Sequence, residues 1–189
     1  MRATRTIVFL LVCFGLLCLA ILMLSKIFSS SGSTVKQTTD ISSYARSGTA
    51  AQYTVDGPVV QNETHRMVRI TVDQTQSMIE LVSGYDGTVI RQEVYANTAE
   101  SYRTFLLGLD NLGFTLGRKS TSSEPERGRC PLGNRYIYKL TDAGNDVFRF
   151  WSTSCSTGTF EGKPSSVAQL FQKQVPPQTY SDIYNQFSD

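Results

Sequence analysis

MVRITVDQTQSMIELVSGYDGTVIRQEVY (67–95) decides the fold class. Residues 67–73 alternate, with Val68, Ile70 and Val72 on one face, the period-2 mark of a half-buried strand. Residues 74–76 make a polar turn. A second strand runs over 77–83 with Ile79 and Leu81 inward. Asp86-Gly87 between two alternating runs is a hairpin signal. It leads into a third strand over 88–95, expected to place Ile90 and Val94 on the same face as Ile79 and Leu81.

Downstream the period changes. Asn97 with Glu100 three residues later reads as a capping-box helix start. Tyr102, Phe105, Leu106, Leu109 and Leu112 then share one stripe, and Gly113 supplies the stop. Residues 118–133 show no periodicity, and long loops of this kind tend to carry function. Residues 134–141 and 145–153 form a second hairpin around Asp142-Ala143-Gly144. A closing pair at Thr141 and Asn145 would set Tyr136 against Phe150 and Tyr138 against Phe148. Pro164 starts another helix with Val167, Leu170 and Phe171 inward. Residues 180–187 read as a last helical turn or a loose tail. Upstream, 41–46 predicts a short helix, and 53–60, broken by Asp56-Gly57-Pro58, predicts an edge strand. The expected class is α+β: a mostly antiparallel sheet of about five strands, with two main helices on one face.

Ahead of this domain, residues 7–24 form an 18-residue run without a charge. As a helix it spans roughly 27 Å, close to the hydrocarbon core of a bilayer. A single transmembrane anchor is expected over 7–28, with Lys26 snorkelling to the interface. Arg2 and Arg5 precede the run, so residues 1–6 are placed in the cytoplasm and the C-terminal domain, 40–189, outside. A cleaved secretory signal is the competing reading; its apolar core is usually shorter. Ser/Thr-rich residues 29–39 read as a flexible linker. Four of the 18 basic residues and none of the 16 acidic ones fall in 1–36, which leaves the rest of the chain near −2. That balance argues against nucleic acid as a partner, since such binding needs a basic face.

Cys130 and Cys155 flank the second hairpin. One bulge in its register would bring them face to face, so a disulfide is expected, consistent with an oxidising compartment. With one histidine, His65, and two cysteines outside the apolar run, neither a metal site nor a cofactor motif is expected. Arg118, Lys119, Arg127, Arg129 and Arg135 cluster around the long loop and could hold acidic groups of an envelope polymer. Trp151 with Tyr136 and Tyr138 could form a stacking platform. Internal ion pairs for the arginines and core packing for the aromatics are the competing readings. Glu124, Glu126 and Glu161 lie in or near loops, and paired carboxylates are what a glycosidase needs.

YANTAESYRTFLLGL (95–109), CPLGNRYIYKL (130–140) and FWSTSC (150–155) resemble segments of uncharacterised single-pass envelope proteins of reduced-genome bacteria. That resemblance implies a bacterial surface location and carries over no activity. The expected function is a membrane-tethered extracytoplasmic binding domain for a protein or envelope polymer. The alternative is an envelope-polymer hydrolase using loop carboxylates.

Overall fold

The computed structural model describes residues 41–118 and 126–188. The anchor expected over 7–28 and the linker over 29–39 lie outside the described residues. Among the described residues no helix is long and apolar enough to cross a membrane.

Six strands make one antiparallel sheet: β1 (Thr49–Asp56), β2 (Arg66–Asp73), β3 (Gln76–Ser83), β4 (Thr88–Ala96), β5 (Arg135–Asp142) and β6 (Asn145–Thr153). They lie in the order β4-β3-β2-β1-β5-β6. Three helices, α1 (Ala99–Asn111), α2 (Pro164–Gln172) and α3 (Pro177–Ser188), accompany the sheet. The class is α+β as expected, with six strands and three helices where sequence reading gives about five and two main ones.

The strand expected at the edge lies at the centre. Gly57-Pro58 argues for an edge position, but β1 stops at Asp56, before them, and starts at Thr49. Proline therefore ends the strand instead of occupying it, and β1 pairs on both sides, with β2 and β5, at the sheet's centre. The additional helix was legible: Tyr180, Ile183, Tyr184 and Phe187 repeat at helical spacing, and Ile183 is fully buried.

Two registers differ from expectation. In β4 the core-side residues are Arg91 and Glu93, opposite Leu81 and Ile79, while Ile90 and Val94 stand exposed on the other face. A one-residue slip moves every side chain across the sheet. Both sets of alternate residues in β4 mix polar and apolar types. Tyr95 settles the choice, its hydroxyl reaching Thr179 Oγ1 of α3 at 2.7 Å. In the second hairpin Tyr138 faces Phe150 and Leu140 faces Phe148, two residues along from the register read above. Ala143 and Gly144 both adopt positive φ, 49° and 81°, giving a two-residue turn, and a bulge follows between Leu140 and Thr141.

One hydrophobic cluster joins Tyr53, Ile70, Leu81 and Tyr138 from the sheet to Leu106, Phe171 and Ile183 from the three helices. The helices therefore cover a single face. Thr98, not Asn97, caps α1, accepting from Ser101 N at 3.2 Å. Gly113, at φ 76°, ends it, where only glycine is free of strain. The opposite face is mixed: Arg69 and Glu80 pair there at 2.7 Å and Lys139 and Asp146 at 3.1 Å, beside apolar Ile90, Val94 and Trp151. Cys130 and Cys155 form the expected disulfide, their Cα atoms 5.7 Å apart across a separation of 25 residues. A loop of that size contributes roughly 3 kcal/mol in chain-entropy terms.

Candidate functional site

The basic residues read as one binding loop go to different places. Arg135 is fully buried; its Nε donates to Asp56 Oδ2 at 3.0 Å and its Nη2 to the Gly57 carbonyl. Trp151 is 2% exposed, on the face opposite Tyr136 and Tyr138. Neither Arg135 nor Trp151 can meet a partner in the folded domain, which corrects their assignment to a surface site. Arg127 lies over the Tyr85 ring at 4.6 Å. Arg118 pairs with Glu161 at 3.3 Å and donates to the Gly158 carbonyl. The Arg129 amide donates to the Glu126 carbonyl. Lys119 and Glu124 lie outside the described residues. Hydrogen bonding and ring stacking within the domain thus account for most of this cluster, as arginine's planar fork allows.

His65 is no plain surface residue. Its Nε2 lies 2.8 Å from Asp56 Oδ1, its Nδ1 3.1 Å from the Pro58 carbonyl, and Tyr85 stacks on the ring at 4.0 Å. The His–Asp pair has the partners of a catalytic dyad, but its ring is completely enclosed and no substrate can reach it. The carboxylates argue in the same direction. Burial pushes the Glu126 carboxyl up, yet hydrogen bonds from Arg149 and the backbone, with the charges of Arg149 and Arg127, outweigh it and leave the pKa lowered. A glycosidase's general acid needs the reverse. Among the described residues no three His, Cys, Asp or Glu side chains converge as metal ligands.

The feature with binding geometry is a cleft of about 370 Å³ between the sheet and the last two helices. Tyr53, Tyr136 and Tyr138 line it from β1 and β5, Tyr180 and Tyr184 from α3, and Ser165, Gln169 and Gln172 from α2. No charged residue is among those lining it. Its volume lies in the range of small-ligand sites. Tyr53 and Tyr136 stack with centroids 6.5 Å apart, and Tyr180 and Tyr184 at 5.6 Å. Gln172 Nε2 donates to the Tyr180 hydroxyl at 2.9 Å. A second recess of about 380 Å³, between α1 and α2, offers a single ring, Phe105, and carries the acidic Glu100. The tyrosine cleft is the better candidate because it combines several flat apolar faces with uncharged hydrogen-bonding groups. Sequence reading singles out Tyr136 and Tyr138 as a platform but joins them to Trp151. It misses Tyr53, Tyr180 and Tyr184, although the last two share the buried stripe of α3.

Three of the cleft's tyrosines, Tyr53, Tyr138 and Tyr180, hold their protons tightly. Burial pushes the Tyr138 hydroxyl up to about 12 against the Ser152 hydrogen bond. Burial and neighbouring Tyr184 push Tyr180 up to about 12. Burial and the surrounding tyrosines raise Tyr53 further. A tyrosine whose folded pKa exceeds its unfolded value of about 10 binds its proton longer when folded. Its contribution is complete below about pH 10 and is lost as pH rises toward about 12. The urea midpoint should therefore stay level to about pH 10 and fall steeply above it, together with the rise in tyrosinate absorbance. A midpoint that stays level through about pH 12 would contradict this burial.

No protein-family model, no curated protein and no solved structure matches this chain.

Proposed function

We propose that the chain is a membrane-tethered extracytoplasmic binding domain, and that its cleft seats an uncharged saccharide stretch of an envelope polymer. The observation that carries this reading is the cleft's uncharged lining: part-exposed Tyr136, Tyr180 and Tyr184 over buried Tyr53 and Tyr138, with a serine and two glutamines. Sugar rings present apolar C–H faces and a rim of hydroxyls. Flat tyrosine rings match the first, and amide and hydroxyl groups match the second. The apolar run at 7–24 and the basic residues before it support the tether and its direction. The disulfide supports an oxidising compartment. The envelope setting also draws on the resemblance of 95–109, 130–140 and 150–155 to bacterial surface proteins. A bound polymer segment needs no catalytic pair, and no carboxylate is among the residues lining the cleft.

Calorimetric titration of the detergent-solubilised full chain with oligomers of N-acetylglucosamine tests the reading. Saturable binding is expected, weakened roughly tenfold or more by Tyr136→Ala, which removes one stacking face. Tyr136 is only partly buried, so the fold should survive the change. Absence of heat at millimolar oligomer, or binding indifferent to Tyr136→Ala, would sink the saccharide assignment.

A further inference from the structure

The two edges of the sheet differ. At β6 the chain folds back: Ser152 bridges Gly158, and the amides of Thr159 and Phe160 both donate to the Trp151 carbonyl. At β4, among the described residues, only β3 is a sheet neighbour. No residue of β4 is buried, and Val89, Ile90 and Val94 are 40%, 52% and 48% exposed. An uncovered edge with exposed β-branched residues is a template for strand addition.

The order of residues in β4 selects what can add to it. The segment reads Ile90-Arg91-Gln92-Glu93-Val94, and it is self-complementary about Gln92. If a second copy is laid antiparallel with Gln92 opposite Gln92, Arg91 of each copy faces Glu93 of the other. Ile90 of each copy then faces Val94 of the other, on the opposite side of the sheet. Apart from Gln92 with Gln92 at the centre, every cross-strand pair within 90–94 becomes either opposite in charge or jointly apolar, the pairings that stabilise adjacent strands. Other registers lose this. A slip by two residues sets Arg91 against Arg91, or Glu93 against Glu93. A slip by one sets Ile90 against Glu93, or Val94 against Arg91. Charges on an edge strand normally repel added strands, so the same two residues reject wrong registers and accept one. In the single copy Arg91 and Glu93 rest against each other at 3.4 Å, both part-exposed, so each is free to exchange its partner at little cost. The bulge between Leu81 and Val82 leaves Ile90 as the extra residue on β4, so the unbroken ladder with β3 begins at Arg91.

We propose that β4 is a homodimerisation edge, where two copies pair antiparallel about a two-fold axis through Gln92 and join their sheets into one. The symmetry is the isologous kind that closes at two, because pairing consumes the edge of both copies.

The test is the mass of the detergent-solubilised full chain by sedimentation equilibrium. A dimer is expected for the native sequence. Arg91→Glu or Glu93→Arg each create two like-charged pairs and should raise the dissociation constant roughly tenfold or more. The exchange Arg91→Glu with Glu93→Arg should restore the dimer, which separates lost complementarity from lost folding. Gln92→Cys should give an interchain disulfide on mild oxidation, whereas Thr104→Cys, on the exposed side of α1, should not. A native chain that stays monomeric overturns the proposal. So does a dimer indifferent to Arg91→Glu, or an exchanged pair that fails to restore association.

Discussion

Asp56→Ala should lower the domain's stability by about 3–5 kcal/mol, the usual cost of removing one partner from a buried ion pair. Asp56 is 2% exposed and stands between two fully buried groups, with Arg135 Nε on one carboxylate oxygen and His65 Nε2 on the other. The imidazole also packs against this turn, with its Nδ1 3.1 Å from the Pro58 carbonyl. Removing the carboxylate leaves the guanidinium without its counter-charge in a medium that solvates charge poorly. It also frees the turn at Gly57 and Pro58, whose carbonyls accept from Arg135 and His65. Asp56→Asn keeps the shape but should cost nearly as much, because a neutral amide leaves the buried Arg135 guanidinium without a counter-charge. The measurement is the urea midpoint followed by circular dichroism, with exposed Glu100→Gln as a control expected within about 0.5 kcal/mol of the native chain. A loss below about 1 kcal/mol for Asp56→Ala would show that the cluster contributes little net stability.

That cluster also marks where sequence reading stops. Local patterns locate β2, β3 and α1 to within about two residues, because each carries its own period and its own terminator. The faces of β2 and β3 follow from Val68, Ile70, Ile79 and Leu81, where only one alternate set is apolar. β4 offers no such contrast, and its face is decided by a distant contact, Tyr95 with Thr179. Asp56, His65 and Arg135 are ordinary polar residues at a turn, a strand entry and a loop exit. Their meeting depends on β1 lying between β2 and β5, a long-range pairing that no short window contains. The same topology decides the aromatics. Tyr136 and Trp151 belong to one hairpin, yet odd and even positions face opposite sides, so they cannot share a platform. The cleft needs β1, β5, α2 and α3 together, so no sequence motif announces it.

Phe171→Ala should cost a further large amount, about 3–5 kcal/mol, and should loosen the cleft as well. Phe171 is fully buried on α2 and touches three separate elements. Its ring lies 5.6 Å from Tyr53 on β1, 5.1 Å edge-on to Phe105 on α1 and 5.7 Å from Phe114 beyond α1. Deleting it removes transfer energy and leaves a cavity that these rings can fill only by moving together. Tyr53 is the one that matters for function, since it lines the cleft as well as packing on Phe171. Phe171→Leu keeps part of the volume and should lose clearly less. Urea unfolding orders the three chains, and oligosaccharide titration of those still folded reads the cleft. Phe171→Ala should weaken binding while leaving every polar lining group present. Unaltered affinity in a destabilised Phe171→Ala chain would mean that the Tyr53 ring does not rely on this packing and that the cleft is held from the β5 side alone.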